Sequence, residues 1–262
     1  MTTVYNSNYR SKESQFASGE QPSQRQRINL ICLPFSGASI YSYRDIATQI
    51  ADFINIMPVE LPGRGKRISE PLLSDIYNMT DDIFHQIKTH LNVPYAIYGH
   101  SLGTLLGFLL VKRILNEDLP QPLHLFFSGR GGPSVQDKDK HIHALPKKEF
   151  IKKLHEYEGS PQEILNDEGI MEFFEPVLRA DFKAITTYMY KKDIPFDIPI
   201  TVMIGTNEDT TYEEAMKWQD ETSKIISVRQ FPGGHFFIYQ HSSEIGRIFS
   251  YTLQNSLEIV GD

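Results

Sequence analysis

The chain has 262 residues, a formal net charge of −7 and one cysteine. This length suits one α/β domain or two small ones, and the mildly acidic composition argues against nucleic acid or an anionic membrane as a partner. A single cysteine excludes a disulfide framework, so Cys32, in the apolar run INLICLPF, is expected to be a buried thiol in a reducing, cytoplasmic compartment.

The first 27 residues differ in composition from the rest of the chain. They are rich in serine, glutamine and charged residues, and they lack the apolar core of a secretory signal. This composition predicts a disordered tail over residues 1–27, followed by a folded domain over residues 28–262. Apolar runs in the sequence are shorter than a membrane span, so we expect no membrane as partner.

Strand-like and helix-like apolar patterns alternate along most of the chain. Strands are predicted at residues 28–33, 54–59, 95–98, 123–127, 198–204 and 225–231. Helices are predicted at residues 41–51, 74–91, 147–155, 169–190, 211–222 and 242–257, with a further apolar helix directly after Ser101. This alternation predicts an α/β fold with a mostly parallel sheet and helices on both faces.

The alternation is interrupted once, between about residues 134 and 195, where amphipathic helices follow one another without a strand. An insertion at this place would lie over the carboxyl ends of the strands, where ligands bind in open α/β sheets. We therefore predict a helical lid. The alternative is a second helical layer that only covers the sheet.

The stretch PYAIYGHSLGTLLGFLLV, residues 94–111, combines a short apolar strand, a G-x-S-x-G turn and an apolar helix. This order is the context of a nucleophile elbow and predicts an α/β-hydrolase fold. The sharp turn requires a positive φ at Ser101, and side chains at Gly99 or Gly103 would collide with the neighbouring strand and helix. Ser101 is therefore predicted to present its hydroxyl as a nucleophile at the positive end of a helix.

A serine nucleophile needs a base, and the base needs an acid that orients it. In this fold the chain order is serine, acid, histidine. Of the nine histidines, His235 follows the last strand and a glycine-containing turn, so we predict that it is the base. Glu208 and Asp209 follow the preceding strand, and either carboxylate can orient the imidazole.

The oxyanion hole requires two backbone N–H groups. One is predicted at Leu102, directly after the nucleophile. The other is predicted in the loop of small residues after the first strand, at Phe35 or Ser36.

Five motifs in this order, CLPFSGAS, LPGRGKR, YGHSLG, SGRGGP and FPGGHFF, resemble those of type II thioesterases, the stand-alone editing enzymes of non-ribosomal peptide and polyketide synthesis. The resemblance extends from about residue 28 to residue 257. It implies hydrolysis of acyl thioesters on the phosphopantetheine arm of an acyl- or peptidyl-carrier protein. It also implies Ser101 as nucleophile, His235 as base, a helical lid over the acyl pocket, and no metal or other cofactor. We further expect a monomer.

The acid departs from the pattern of this family. The family usually has an aspartate three residues after the glycine that ends the preceding strand. Counted from Gly205, that position holds Glu208, and Asp209 comes one residue later. A glutamate can reach the same imidazole from a slightly more distant backbone, so we favour Glu208 and keep Asp209 as the alternative.

Two further groups of residues have both a functional and a structural interpretation. Phe173 and Phe174, in an apolar stripe of the lid, could line the acyl pocket or pack onto the body of the domain. Basic side chains could bind a phosphate or an acidic carrier protein, or serve as structural charges. These are Arg64, Lys66, Arg67 and Arg130.

Two other functions remain open from the sequence. A carboxylesterase of small esters would share the serine, histidine and acid, but it would not need both LPGRGKR and SGRGGP. A non-catalytic binding protein of the same fold is expected to have lost one of the three catalytic residues, whereas this chain keeps Ser101, His235 and an acid.

Overall fold

The computed structural model describes residues 27–156 and 167–260 of the chain. Within them, six parallel strands form one sheet in the order β2-β1-β3-β4-β5-β6. The predicted α/β fold with a parallel sheet is confirmed. The tail predicted for residues 1–27 lies outside the described residues, except for Arg27.

The strands are short and most of their residues are buried. They are β1 Ile28–Leu33, β2 Ile54–Pro58, β3 Tyr95–His100, β4 Leu125–Ser128, β5 Ile200–Gly205 and β6 Ser227–Phe231. β1 and β3 to β5 carry near-continuous apolar sequences because helices cover both faces of the sheet.

The α-helices vary from one turn to five turns. They are α1 Arg44–Ala47, α2 Ile76–Ile87, α3 Leu102–Asn116, α4 Lys147–Glu156, α5 Glu168–Thr186, α6 Tyr212–Met216, α7 Phe237–Gln240 and α8 Ser242–Val260. Short 3₁₀ segments lie at Ile40–Tyr43, Gly65–Arg67, Lys88–His90, Ile142–Ala144 and Lys217–Glu221.

Two apolar cores lie on the two faces of the sheet, as the period of two along each strand requires. In β1, Ile31 and Leu33 pack with α2 and α3, whereas Leu30 and Cys32 pack with α8. Cys32 is fully buried, and burial raises the pKa of its thiol well above the ordinary value, as expected for an inert cysteine.

Helix α5 belongs to two apolar groups at once. Met171 and Leu178, in its first part, pack in a separate cluster with α4, whereas Ala184 and Ile185, near its end, belong to the core beside the sheet. Pro176 lies inside the first part, between Met171 and Leu178. Proline has no backbone N–H, so the helix lacks one internal hydrogen bond there.

Several helix boundaries differ from the sequence prediction. The helix expected at residues 41–51 is a 3₁₀ turn followed by α1, and among the residues of these two segments only Tyr43 and Ile46 are buried. The helix expected at residues 211–222 changes to 3₁₀ geometry after Met216. Helix α2 begins at Ile76 rather than at residue 74, and Asp75 caps it, because the Asp75 carboxylate accepts hydrogen bonds from two backbone N–H groups of the first turn.

Among the described residues, none of the helices combines the length and apolar character that crossing a bilayer requires.

His124 provides a test of the buried packing at the start of β4. Its Nε2 lies 2.9 Å from Thr201 Oγ1, and burial lowers the pKa of its ring from 6.5 to about 4. The unfolded chain therefore binds a proton at His124 at a higher pH than the folded chain. As the pH falls from about 6.5 to about 4, this residue should lower the free energy of unfolding by up to about 3 kcal/mol.

Replacing His124 by glutamine should remove this contribution, since glutamine does not titrate and can still bond to Thr201. Urea unfolding at several pH values should give a shallower loss of stability with acid for His124→Gln than for the wild type. Equal slopes would contradict the assignment of a neutral buried ring.

Candidate active site

Ser101 lies at the tight turn between β3 and α3. Its backbone has φ 52° and ψ −114°, so the predicted positive φ is found. A Cβ at Gly99 would overlap the carbonyl of Gly103, and a Cβ at Gly103 would lie 2.9 Å from the Leu33 carbonyl oxygen of β1. Both glycines are therefore required by the close approach of α3 to the sheet, as the G-x-S-x-G pattern predicts.

The loops after β5 and β6 run side by side at the same edge of the sheet. The Thr206 N–H donates to the Phe231 carbonyl at 2.8 Å, and the Asn207 N–H donates to the Gly233 carbonyl at 2.9 Å. These backbone bonds bring the segment that carries the candidate acids beside the segment that carries His235.

Glu208 contacts the candidate base directly. Its Oε2 lies 2.8 Å from His235 Nδ1, and its Oε1 accepts a hydrogen bond from the Gly205 N–H at 2.7 Å. The Glu208 side chain is 1% exposed, whereas Asp209 is an exposed residue at the wall of the same cavity. Because a carboxylate only accepts hydrogen bonds, this pairing places the proton on Nδ1 and leaves Nε2 of His235 able to accept one.

His100 lies beneath the candidate base. The two imidazole centroids are 4.7 Å apart, and His100 Nδ1 lies 3.0 Å from Ser128 Oγ. Burial and then the neighbouring His235 ring hold the pKa of His100 well below its ordinary value, so His100 is neutral. The His100 side chain is fully buried, and its contact with His235 was not anticipated from the sequence.

The candidate oxyanion donors lie around Ser101. Phe35 and Ser36 line the cavity with Ser101, and Leu102 is the first residue of α3. Among the described residues, none accepts a hydrogen bond from the N–H of Phe35, Ser36 or Leu102. These donors are therefore available to a developing negative charge on a substrate oxygen.

Ser101, Glu208 and His235 line one cavity of about 230 Å³. Its apolar wall includes Ile142, Phe182 and Ile185, which come from the region between β4 and β5. The two aromatic residues proposed from sequence are not among the described residues that line it. Phe173 is 59% exposed, and Phe174 packs in the separate cluster of α4 and α5.

Three of the four basic residues considered from sequence form ion pairs within the domain. Arg64 pairs with buried Asp181, Arg67 pairs with Glu70 and Asp82, and Arg130 forms two hydrogen bonds to Asp137. Lys66 is exposed. The structural interpretation of the three arginines is therefore favoured.

Within residues 27–156 and 167–260, histidine, cysteine, aspartate and glutamate side chains do not gather in groups of three or more that could hold a metal ion.

Comparison with known proteins gives consistent matches over most of the chain. The family model described as thioesterase domain matches residues 28–252. The gramicidin S biosynthesis protein GrsT of Aneurinibacillus migulanus is 33% identical over 220 residues, covering 84% of this chain and 86% of that protein.

Two solved structures share the fold closely. ClbQ from the colibactin NRPS/PKS pathway superposes with a TM-score of 0.84 and 30% identity, covering 89% of this chain and 99% of ClbQ. The type II thioesterase BorB from the borrelidin biosynthetic cluster gives a TM-score of 0.80 and 29% identity, covering 89% of this chain and 95% of BorB.

The contact between Glu208 and His235 predicts different effects for the two adjacent acids. Glu208→Gln should lower kcat by about 10³–10⁴-fold, because the amide no longer holds the proton on Nδ1 of the base. Asp209→Asn should change kcat little, as for an exposed charge. The two variants are matched controls in one steady-state assay with any ester or thioester that the wild type hydrolyses. A large loss only in Asp209→Asn would contradict the assignment.

Proposed function

Because the chain belongs to the thioesterase domain family, we propose that it hydrolyses acyl thioesters on the phosphopantetheine arm of carrier proteins, as an editing thioesterase of peptide or polyketide synthesis. The observation that carries this proposal is the meeting of three features in one cavity. These are the strained Ser101 at the start of α3, the His235–Glu208 pair, and an apolar wall that can receive an acyl chain.

The proposed reaction begins with attack of Ser101 Oγ on the thioester carbonyl carbon while His235 Nε2 takes the hydroxyl proton. The carbonyl oxygen becomes an oxyanion that the N–H groups of Leu102 and of Phe35 or Ser36 stabilise. The C–S bond then breaks, and His235 returns its proton to the departing thiolate sulfur. The acyl group remains on Ser101.

Water completes the reaction. His235 takes a proton from a water molecule that attacks the acyl-enzyme carbonyl, and a second tetrahedral intermediate forms at the same N–H groups. Its collapse returns the proton to Ser101 Oγ and releases the carboxylic acid. Glu208 stays ionised throughout and stabilises the imidazolium at each proton transfer.

The relatives support a carrier protein as partner. GrsT is named as a gramicidin S biosynthesis protein, ClbQ comes from an NRPS/PKS pathway, and BorB is a type II thioesterase of a biosynthetic cluster. Substrates in such systems remain attached to carrier proteins, so we propose that this chain acts in the cytoplasm beside them. We also propose that it acts without a cofactor, since the chemistry above requires only side chains, backbone N–H groups and water. We further propose that it is a monomer.

The region between β4 and β5 supports the proposal of a lid over residues 134–195. Helices α4 and α5 have a cluster of their own, and residues of this region form the apolar wall of the cavity. In this proposal the region determines which acyl groups reach Ser101.

Ser101→Ala tests the covalent step. The variant should keep the fold and lose kcat by several orders of magnitude, roughly 10⁴–10⁶-fold, because no nucleophile remains. Circular dichroism should show wild-type secondary structure. A folded variant that keeps more than about a tenth of wild-type kcat would rule out Ser101 as nucleophile.

The substrate class needs a separate comparison. The wild type should hydrolyse an acyl group loaded on a carrier protein with a kcat/KM at least about tenfold higher than for the p-nitrophenyl ester of the same acid, since the carrier supplies additional binding energy. A preference for the simple ester would favour a carboxylesterase. Failure of a fluorophosphonate to label Ser101 would favour a non-catalytic protein.

Phe182 provides a test of the acyl pocket. Phe182 lies in the wall of the cavity of about 230 Å³ that Ser101 and His235 also line. Phe182→Ala should enlarge it and shift the ratio of kcat/KM for octanoyl over acetyl substrates by about tenfold towards octanoyl. The control is Phe173→Ala, an exposed position on the same helix, which should leave this ratio unchanged. Equal shifts in both variants would place the acyl pocket elsewhere.

A further inference from the structure

A buried carboxylate on α5 joins three separate segments of the chain. Asp181 is fully buried, and its two oxygens each accept a hydrogen bond at 2.7 Å from the Arg64 guanidinium, which lies in the loop after β2. Asp181 Oδ2 also accepts a hydrogen bond at 2.8 Å from the backbone N–H of Gly37, in the loop after β1. The lid helix therefore contacts the loop that carries the candidate oxyanion donors.

The loop after β1 forms a tight turn at this contact. The Ala38 N–H donates to the Phe35 carbonyl at 2.9 Å, and Gly37, the third residue of the turn, has φ 77°. Since Ser36, the second residue, is not among the residues with a positive φ, this is a type II turn, in which the central peptide is rotated relative to the common type I turn. The bond to Asp181 holds this peptide, because a rotated peptide would turn the Ser36 carbonyl towards a carboxylate.

Helix α5 also packs against the Phe35–Ala38 turn through an apolar side chain. A Cβ at Gly37 would lie 2.9 Å from Cδ2 of Leu178, which is three residues before Asp181 on α5. The helix therefore contacts Gly37 through both an apolar side chain and a carboxylate. The two residues before Gly37 are Phe35 and Ser36, whose N–H groups are the candidate donors of the oxyanion hole.

The Arg64–Asp181 pair alone would be weak evidence for a functional role, since buried ion pairs often contribute little net stability. The backbone bond to Gly37 is different, because it places a charged acceptor against a loop that the reaction uses. Arg64 neutralises the buried carboxylate and holds both of its oxygens, so that Oδ2 points at the Gly37 N–H.

We propose that Asp181, held by Arg64, is a positioning residue for the oxyanion hole. It keeps the Phe35–Ala38 turn in the conformation that directs a backbone N–H at the substrate oxygen, and it makes this conformation depend on the docking of α5. The proposal rests on the function proposed above. It implies that displacing the lid helix weakens stabilisation of the oxyanion as well as opening the pocket.

Asp181→Asn tests this role, since an amide can no longer accept hydrogen bonds from both Arg64 and Gly37 through two charged oxygens. We expect kcat to fall by about 10–100-fold with less than about a twofold change in KM, because the turn matters only when the oxyanion forms. An alkyl trifluoromethyl ketone, which forms a tetrahedral oxyanion adduct with a serine, should lose affinity by the same factor as kcat/KM.

Glu175→Gln is the matched control. Glu175 lies on the same helix and pairs with Arg179 and Lys147, not with the turn. The substitution should weaken the ion pairs on this helix but leave kcat and inhibitor affinity within about twofold of the wild type. If Asp181→Asn does not fold, Gly37→Ala tests the turn with the ion pair intact, since both its positive φ and Leu178 oppose the new side chain. It should give the same loss in kcat and in ketone affinity.

Asp181→Asn, Gly37→Ala and the control Glu175→Gln are each assayed with a carrier-bound acyl group and with a p-nitrophenyl ester, because the two substrates use the same oxyanion hole. Folded Asp181→Asn, or folded Gly37→Ala in its place, with wild-type kcat on the ester would overturn the positioning role. A loss confined to thermal stability or to KM would do the same. If the wild type hydrolyses the ester but not carrier-bound substrates, the proposed function would be overturned. The role of Asp181 could still be tested with the ester.

Discussion

The strained backbone of Ser101 depends on how closely α3 packs against the sheet. A φ of 52° at a residue other than glycine costs about 1–3 kcal/mol, so neighbouring contacts must hold it. The Ser101 N–H donates to the Ser128 carbonyl of β4 at 2.8 Å, and the Thr104 hydroxyl donates to the Ser101 carbonyl at 2.7 Å. The candidate nucleophile is thus held by β4 and by the first turn of α3 before any substrate binds.

Local sequence was sufficient to predict the features that depend on chain order. The elbow at Ser101, the parallel sheet and the placement of His235 follow from short patterns and from the rule that the carboxyl ends of parallel strands share one edge. Glu208 and Asp209 are adjacent, so their pattern alone left the acid open. The pairing depends on the Gly205 N–H, which bonds Glu208 and turns its other oxygen towards His235.

Features that depend on contacts between distant segments of the chain could not be predicted from the sequence in the same way. Arg64 and Asp181 are 117 residues apart, so sequence gave no reason to pair them. Phe182 lines the cavity and Phe173 does not, because of how α5 is rotated against the sheet, and an apolar stripe in the sequence does not specify that rotation. The ring of His100 contacts His235 only because the loop after β6 folds back over the end of β3.

The division of α5 has a consequence for how such a domain can diversify. Its final turns share a core with the sheet, whereas its first part, which contains Pro176, packs with α4 in a separate cluster. Apart from Leu178, which contacts Gly37, residues of the first part can therefore change together with those of α4 while the sheet and the elbow keep their packing. We expect the sequences of the helices near the cavity, and with them the acyl specificity, to change faster than the candidate catalytic residues.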